Sequence, residues 1–455
     1  MDQVFDKLQA VVGKAHCSRK KEDCLCYAYD ATGQMFVPDA VVFPESAVQA
    51  AEIFKLADEY EFFVIPRGAG SGLTGGSLPV HGGVVMAMSR MNRILDIDTD
   101  NCIARAQPGV ITAHFHTAVE ARGLFYPPDP ASSEFSTLGG NLAECAGGPR
   151  AVKYGVTRDY VLGLEAVLPT GKIIHTGVQT AKGVVGYDLT RLIVGSEGTL
   201  ALITQMTLRL LPLPEARRTM TAAFDRMESA AEAVSEIIRS AVVPRTIEFM
   251  DHASIRCVEA YLNIGLPSAG ALLIIEVDGK QTGLEEDVQK IQHICRARGA
   301  EVRTAENAEQ AADLWKARKA VSPALYRYRP DKINEDIVVP RSRIPDMVRR
   351  IEKLREETGL MMVCFGHAGD GNIHFTIMLD KQNAQEVRKA EAAVATVFDY
   401  TLELGGTISG EHGIGISKLP FIGKEIGEVE MALMRGIKKV FDPKGILNPG
   451  KIFVQ

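Results

Sequence analysis

Three histidines and one glutamate near the C-terminus occupy segments framed by glycine. His367 and His374 flank a Gly-Asp-Gly-Asn turn between two apolar runs, which predicts a hairpin that brings both imidazoles together. Glu411 and His412 lie in a second glycine-framed loop. Two histidines and one carboxylate are a common ligand set for a divalent metal with positions left open for substrate. The residues therefore predict a metal site, with isolated polar loop residues as the alternative.

A glycine-rich loop at residues 66–76 follows a predicted strand and is suited to binding an anion. Consecutive glycines let several backbone N–H groups turn towards one phosphate, and Arg67 beside them can add a positive charge. Gly70, Gly72 and Gly75 also match the dinucleotide fingerprint, but that motif requires a helix to begin at the loop. The next residues, with Pro79 among them, cannot propagate a helix. We therefore reject a Rossmann fold and keep an anion-binding loop, with a merely tight turn as the alternative.

Two more glycine-rich stretches lie farther along the chain. Residues 136–148 would let the backbone approach a flat ring closely, and residues 183–189 are followed by another glycine-rich run at 194–200. Three such segments within one β-rich region indicate a long, extended ligand rather than a small anion.

The type of predicted secondary structure changes at Leu211-Pro212-Leu213-Pro214, where two prolines indicate a domain boundary. Before it the chain reads mostly as short strands. Beyond it, helices alternate with well-spaced strands, which indicates an α+β sheet covered on one face. The predicted helices are 46–60, 227–240, 284–298, 344–358 and 390–404, and the main predicted strands are 62–66, 83–88, 200–210, 271–277, 337–339 and 361–365.

Length, charge and cysteine spacing limit the number of domains and the classes of partner that the chain can have. The 455 residues suggest two or three domains, and a formal net charge of −6 argues against nucleic acid as a partner. We find neither an apolar run long enough to span a bilayer nor a signal peptide, and expect a cytoplasmic protein that reaches a membrane only through a partner. Cys17, Cys24 and Cys26 have a spacing that fits neither a zinc site nor an iron–sulfur cluster, so we expect reduced thiols.

Four motifs together resemble the FAD-binding domain of the vanillyl-alcohol oxidase/p-cresol methylhydroxylase (PCMH) superfamily. They are Pro-Arg-Gly-x-Gly-x-Gly-Leu from Pro66, Gly-Gly-Asn-x-Ala-x-x-Ala-Gly-Gly from Gly139, Lys-Gly-x-x-Gly-Tyr-Asp-Leu from Lys182 and Gly-Ser-Glu-Gly-Thr-Leu from Gly195. The resemblance covers residues 35–455. The motif order is similar to the branch of D-lactate dehydrogenases, glycolate oxidase flavin subunits and D-2-hydroxyglutarate dehydrogenases. Cys145 departs from the pattern, because the family more often has Asn there.

The resemblance implies an α+β fold with a PCMH-type FAD-binding domain of two subdomains and an α/β, ferredoxin-like substrate cap. We expect an N-terminal helical segment at 1–34, the FAD-binding domain at 35–213, the cap at 214–405, and a segment at 406–455 that returns to the FAD domain.

The resemblance also implies non-covalent FAD and a metal, zinc or manganese, held by His367, His374 and Glu411, with His412 as the catalytic base. Arg318 matches the family's substrate arginine, and bidentate pairing suits a carboxylate. We expect Ser322, Lys332 and Asn334 in the same substrate cavity. The positions assigned to FAD are Pro66, Arg67, Gly68, Ala69, Gly70, Ser71, Gly72, Leu73, Gly75, Gly76, Pro130, Ser136, Thr137, Gly139, Gly140, Asn141, Ala143, Ala146, Gly147, Gly198 and Asn448.

The resulting hypothesis is an FAD- and metal-dependent dehydrogenase of a D-2-hydroxy acid, D-lactate or glycolate first, that passes electrons to a protein or a quinone. We expect a homodimer, with an iron–sulfur protein or an electron-transfer flavoprotein as partner. Two alternatives stay open: a flavin transferase of the alkyl-glycerone-phosphate synthase type, and a flavin subunit that is active only in a complex with an iron–sulfur partner.

Overall fold

A computed structural model describes residues 2–453 of the chain. Within these residues the helices are α1 (Asp2–Val12), α2 (Lys21–Leu25), α3 (Ala47–Tyr60), α4 (Thr112–Glu120), α5 (Leu138–Glu144), α6 (Ala151–Tyr154), α7 (Leu189–Ile193), α8 (Met227–Arg239), α9 (His252–Leu262), α10 (Gln281–Ala297), α11 (Ala308–Lys319), α12 (Val321–Leu325), α13 (Ile344–Thr358), α14 (Ala384–Glu403), α15 (Ile422–Glu425) and α16 (Glu428–Phe441).

The strands of the same residues are β1 (Cys17–Ser18), β2 (Ala40–Val42), β3 (Val64–Arg67), β4 (Val84–Ala87), β5 (Ile94–Asp98), β6 (Ile103–Ala106), β7 (Leu124–Phe125), β8 (Val161–Val167), β9 (Ile173–Gly177), β10 (Leu202–Arg209), β11 (Leu211–Pro212), β12 (Ala216–Phe224), β13 (Thr246–Asp251), β14 (Ala271–Gly279), β15 (Glu301–Thr304), β16 (Asp331–Val338), β17 (Met361–His367) and β18 (Asn372–Leu379). Helices and strands are mixed throughout, so the predicted α+β class is confirmed.

The chain forms two compact units. The first consists of the described parts of Met1–Gly147, Val156–Leu213 and Glu411–Gln455, and the second of Gly148–Gly155 and Pro214–Gly410. The second unit therefore begins its long segment at Pro214, and the chain re-enters the first unit at Glu411.

The first unit is built on two main sheets. A mixed sheet has the strand order β1-β2-β4-β3, and its β2, β3 and β4 run parallel. Helices α1 and α3 pack against one face through Leu8, Phe54 and Val64, all of which are buried. The second sheet is antiparallel, with the order β5-β6-β10-β8-β9. The mixed sheet delivers the glycine-rich loop at the end of β3.

The second unit is built on one antiparallel sheet with the order β15-β12-β14-β13-β17-β18-β16. Helices α8, α10, α13 and α14 contact its strands. Successive residues of a strand point to opposite faces, so each strand contributes to two surfaces. One face is apolar and buried, with Ile247, Phe249 and Phe375 among its members. The other face carries charged and polar side chains in the middle of the sheet.

Two predicted elements differ from the observed ones in an informative way. The strand predicted at 337–339 is the end of the longer β16, Asp331–Val338. Lys332, Asn334 and Asp336 lie on the polar face of the sheet. Asp331 and Glu335 lie on the other face, so the strand has polar residues on both sides and hydrophobicity does not reveal it. The second glycine-rich segment, for which no helix was predicted, contains helix α5, with Gly139 and Gly140 inside it. Among the described residues, no helix combines the length and the apolar character needed to cross a bilayer.

Candidate flavin and metal sites

The first unit contains a long cleft between its glycine-rich segments. The loop after β3, helix α5, residues 193–203 and the pair Glu411 and His412 line it. Every position assigned to FAD from the sequence lines this cleft except Gly75 and Asn448. The open space measures about 1380 Å³ including the part exposed to solvent. Its walls come from separate glycine-rich segments, which suits an extended ligand more than a small anion.

The loop after β3 is shaped by Arg67 and Gly70. No helix follows within residues 68–83, which agrees with the rejection of a Rossmann fold. Gly70 has a φ of +69°, and a Cβ at this position would lie 2.2 Å from Nη2 of Arg67. The Arg67 guanidinium is buried and donates to the carbonyl oxygens of Tyr27 and Tyr29, at 3.4 and 2.7 Å. Arg67 therefore lines the cleft and also fastens the N-terminal segment, a role that the sequence did not reveal.

The second glycine-rich motif forms helix α5, which needs glycine because its backbone lies very close to Pro108. A Cβ on Gly139 would lie only 2.4 Å from Cβ of Pro108, so this position needs glycine even within a helix. Thr137 caps the helix, and its hydroxyl accepts a hydrogen bond from the Gly140 N–H at 3.2 Å. The Asn141 amide donates to the Thr112 hydroxyl at 2.8 Å. The helix is thereby held with its glycine-bearing side on the cleft.

Asn448 does not line the cleft but joins two of its walls. Its side-chain amide donates to the carbonyl oxygens of Gly76 and Glu197, both at 2.9 Å. One comes from the loop after β3 and the other from the third glycine-rich segment. The structure thus gives Asn448 a positioning contact.

The Lys-Gly-x-x-Gly-Tyr motif lies away from the cleft. Its Val184 and Tyr187 are almost fully exposed and do not line the cleft.

Two carboxylates of the cleft wall, Glu144 and Glu197, were not predicted as site residues. Both belong to quoted motifs, at positions that were not assigned to FAD. Glu197 accepts hydrogen bonds from the N–H groups of Ile414 and Gly415 at 2.7 and 2.6 Å. Burial raises the pKa of Glu197. Burial, followed by the nearby Glu197 charge, raises the pKa of Glu144 well above its ordinary value.

Glu411 and His412 form part of the same cleft wall. Their side chains are 18% and 13% exposed, with His412 Nε2 lying 4.0 Å from Glu411 Oε1. The Thr74 hydroxyl donates to the His412 carbonyl at 3.0 Å. The glutamate and the histidine singled out from the sequence therefore face the predicted cofactor space, with Glu197 holding the two residues that follow Gly413.

The polar face of the second unit brings His367 and His374 together as predicted. His367 pairs with Asn372 across the β17–β18 hairpin, and His374 lies two residues farther along the same face. Their Nε2 atoms are 3.3 Å apart, and their ring planes are nearly perpendicular, at 87°. Both side chains are buried.

This geometry fits a shared metal ion. Two imidazole nitrogens bound to one zinc at about 2.1 Å and a tetrahedral angle are about 3.4 Å apart. Asp336 is paired with His374 across β16 and β18, and a carboxylate oxygen of Asp336 lies within 4.8 Å of a ring nitrogen of His374. Asp336 also accepts a hydrogen bond from the Gly410 N–H at 2.9 Å. Asp336 is a further potential ligand that the sequence analysis did not select.

A buried acid, Glu248, connects His367 to the predicted substrate arginine. One carboxylate oxygen lies 2.5 Å from His367 Nδ1, and the other lies 2.7 Å from Arg318 Nε. Arg318 also lies over the Phe365 ring, 4.8 Å from its centroid. Burial favours a raised pKa for Glu248, but His367 and Arg318 outweigh it and hold the pKa below its ordinary value. Glu248 was not predicted as a site residue.

The other predicted substrate residues lie on or next to the edge strand β16. Lys332 and Asn334 share a face with Asp336, because they alternate along the strand. The Lys332 ammonium donates to the Ser322 hydroxyl, and burial lowers its pKa. Asn334 accepts a hydrogen bond from the Thr376 hydroxyl at 2.8 Å. The sheet therefore carries these side chains on the same polar face as the two histidines.

The fold defines the structural class. The solved structure of p-cresol methylhydroxylase with substrate bound superposes with a TM-score of 0.81 over 99% of this chain and 96% of that one, at 18% identity, so the fold is of the PCMH type. At that identity the likeness concerns the fold alone.

Sequence comparison identifies the family. Residues 38–177 match the model described as an FAD binding domain, and residues 213–452 match the C-terminal domain of FAD linked oxidases. The chain belongs to the FAD-linked oxidase family, and it is an FAD-dependent oxidoreductase. The resemblance drawn from the motifs is thus confirmed.

Two curated relatives are similar over nearly their whole length. The glycolate oxidase subunit GlcD of Bacillus subtilis is 45% identical over 99% of this chain and 97% of its own. The D-lactate dehydrogenase of Anaerostipes hadrus is 36% identical over 91% of this chain and 89% of its own.

Proposed function

We propose that the protein oxidises a D-2-hydroxy acid, D-lactate or glycolate first, to the corresponding 2-oxo acid, with FAD and a divalent metal as cofactors. The observation that carries the proposal is that Glu411 and His412 form part of the wall of the flavin cleft. A base and a metal ligand at this place are suited to an alcohol that must lose a proton and a hydride together. The names of the two relatives, an oxidase subunit for glycolate and a dehydrogenase for D-lactate, favour this chemistry over a flavin transferase.

The proposed metal ligands are His367, His374 and Glu411, with zinc or manganese as the ion. The 3.3 Å separation of the two imidazole Nε2 atoms supports the histidine pair. Chain connectivity supports Glu411 as a metal ligand. Glu411 directly follows Gly410, and the Gly410 N–H donates a hydrogen bond to Asp336. When bound, FAD supplies a two-electron acceptor and the metal supplies a Lewis acid for the substrate oxygens.

His412 is the proposed general base. It takes the proton of the 2-hydroxyl group, because a neutral imidazole has one ring nitrogen that can accept a proton. General-base assistance of this kind is worth about 10²–10⁴-fold in rate. Thr74 restrains the backbone of His412 at its carbonyl oxygen, which limits the positions that the imidazole can take.

Arg318 is the proposed partner of the substrate carboxylate. Its guanidinium is 12% exposed and held at Nε by Glu248, so its orientation is restricted before substrate arrives. Lys332, Ser322 and Asn334 are proposed to line the substrate cavity. The lowered pKa of Lys332 reflects a desolvated site, where a negative substrate group is bound more strongly than in water.

A panel of D- and L-2-hydroxy acids, mixed with the FAD-loaded enzyme under anaerobic conditions, tests the proposal. We expect loss of the oxidised-flavin absorbance with D-lactate or glycolate, and no loss with propionate, which lacks the hydroxyl group. Treatment with a chelator should abolish the reduction while leaving the oxidised-flavin spectrum intact. A flavin that no 2-hydroxy acid reduces, although dithionite reduces it, would refute the proposed reaction. Full activity of the metal-free enzyme would refute the proposed dependence on a metal.

The electrons are proposed to leave through a protein or a quinone. The word subunit in the name of the Bacillus relative supports a protein partner, for which an iron–sulfur protein or an electron-transfer flavoprotein is the proposed class. Purification of a tagged chain from its own cells, followed by iron analysis and mass spectrometry, tests this partner. Size-exclusion chromatography with light scattering of the isolated chain tests the proposed homodimer, and cell fractionation tests the proposed cytoplasmic location.

A further inference from the structure

Glu248 lies on the polar sheet face, and its two carboxylate oxygens contact a proposed metal ligand and the proposed substrate arginine. Its carboxylate is almost fully buried, with 1% of the side chain exposed. Oε1 lies 2.5 Å from Nδ1 of His367, and Oε2 lies 2.7 Å from Nε of Arg318. The strand register explains the first contact, because Glu248 on β13 pairs directly with His367 on β17.

We infer that Glu248 is a positioning residue that fixes the metal-binding form of His367 with one oxygen and the orientation of Arg318 with the other. The inference rests on the proposed metal site and on the proposed role of Arg318, and it adds a dependence between them. The binding of the metal and the binding of the substrate carboxylate then both depend on this one buried side chain.

The first half of the inference follows from hydrogen-bond chemistry. An ionised carboxylate can only accept hydrogen bonds, so the Nδ1 atom of His367 must carry the proton in this contact. The lone pair of a neutral imidazole then lies on Nε2, the atom that faces His374 Nε2 at 3.3 Å. A carboxylate behind a histidine in this manner fixes the tautomer and the ring orientation, and it raises the basicity of the ligand nitrogen.

The second half follows from the geometry of Arg318. The salt bridge uses Nε, so the terminal nitrogens of the guanidinium are not required for it. The Phe365 ring lies against the guanidinium, with 4.8 Å between its centroid and the Arg318 Cζ atom. With Glu248 at its edge and Phe365 at its face, the guanidinium plane is restrained in two directions, as bidentate binding of a carboxylate requires.

A neighbouring carboxylate, Glu276, provides a matched control. It lies on the same face, with 5% of its side chain exposed, and Oε1 is 3.0 Å from Nε of Arg245. Its other oxygen accepts hydrogen bonds from Thr219 and Trp315 at 2.9 and 3.2 Å. Replacing it removes a buried charge that is also paired with arginine, but it touches no proposed metal ligand.

The experiment compares wild type, E248Q and E276Q as FAD-loaded, metal-stripped proteins. Each is titrated with Zn²⁺ in competition with a chromophoric chelator. E248Q removes the charge that pairs with Arg318, and its carboxamide must direct an NH₂ group either at the Nδ1–H of His367, donor against donor, or at the Arg318 guanidinium. We expect the Kd for Zn²⁺ to rise about 10- to 100-fold in E248Q, as for other groups that orient metal ligands. In E276Q it should stay within about threefold of wild type.

Two results would overturn the inference: an E248Q Kd within about threefold of wild type, or an equal loss of affinity in E276Q, which would indicate general damage to the sheet. If E248Q does not retain FAD, E248D takes its place. Aspartate keeps the charge but is one methylene too short for both contacts, so we expect about a tenfold weaker Zn²⁺ affinity, and wild-type affinity would overturn the inference. Failure of the wild type itself to bind Zn²⁺ would instead refute the proposed zinc site, on which the inference rests.

A second measurement separates the arginine contact from the metal. At saturating Zn²⁺, E248Q should raise the KM for the 2-hydroxy acid more than it lowers kcat, because Arg318 loses its orientation while the base is untouched. E276Q should leave KM within about twofold of wild type. An unchanged KM in E248Q would overturn the part of the inference that concerns Arg318.

Discussion

Replacing Glu197 with glutamine should loosen the loop that carries His412. Both carboxylate oxygens of Glu197 accept backbone hydrogen bonds, from Ile414 at 2.7 Å and from Gly415 at 2.6 Å. Glutamine keeps one acceptor and places an NH₂ group where the second carboxylate oxygen was. One backbone N–H then faces a donor, and the remaining bond loses its assistance from charge.

The magnitude follows from the hydrogen bond that is lost. A hydrogen bond to a charged group contributes about 1.5–3 kcal/mol, so local opening of this loop should become easier by about that amount. Since 1.4 kcal/mol corresponds to a factor of ten, the amides of Ile414 and Gly415 should lose about 10- to 100-fold in protection. Turnover should fall as well, because His412 lies only two residues before Ile414.

Hydrogen–deuterium exchange of the FAD-bound enzyme, read on peptides that cover residues 411–418, measures this protection. E144Q is the control, since Glu144 lies on the same cleft wall, where Oε2 of its carboxylate is buried and makes no hydrogen bond to the described residues. Unchanged exchange in E197Q would refute the assignment of Glu197 as the residue that holds this loop. Equal losses in both variants would also refute it, because they would show that any change to this pair of acids loosens the wall.

Three further changes test other parts of the site. H412A should retain FAD with an unchanged spectrum and lose at least about 10²-fold in turnover, measured by anaerobic flavin reduction; near-normal turnover would remove His412 from the mechanism. In wild type the raised pKa of Glu144 makes the free energy of unfolding fall as the pH rises from about 4.5 towards that pKa, whereas E144Q does not titrate. The stability of E144Q relative to wild type should therefore increase from pH 5 to pH 8 in denaturant titrations, and parallel curves would contradict the raised pKa of Glu144. C145N should stabilise the enzyme by up to about 1 kcal/mol in thermal unfolding, because Cys145 has a φ of +57° that asparagine tolerates better; C145A is the control and should give no such gain.

The flavin cleft was predictable because each wall comes from a continuous glycine-rich segment. Most residues of the segments at 66–76 and 136–148 line the cleft, and Ser196, Glu197 and Gly198 of the run at 194–200 do so as well. The conformation of the second segment was less predictable. Glycine is a poor helix former, and only the approach of Pro108 explains why Gly139 is required inside α5. The exposed Val184 and Tyr187 show that a recognisable motif need not touch the cofactor space.

The carboxylates that support the site were not predictable from one sequence. Glu248 lies in the run Thr246–Asp251, where nothing local distinguishes it from an ordinary strand residue. Its two partners, His367 and Arg318, are 119 and 70 residues away along the chain, and only the pairing of β13 with β17 and the position of α11 bring them together. Glu197 likewise gains its role from a loop 217 residues farther on.

The spacing of the two histidines, in contrast, carries structural information once the hairpin is known. The register pairs His367 with Asn372 and Phe365 with His374, so the two imidazoles are diagonal neighbours on one face of the sheet. A change of one residue in the length of the turn would move His374 to the opposite face, because side chains alternate along a strand. The opposite face is the one on which Ile373 and Phe375 are fully buried. The seven-residue spacing therefore depends on the tight turn as much as on the histidines, and the same alternation places Asp336, Asn334 and Lys332 on the face that His374 shares.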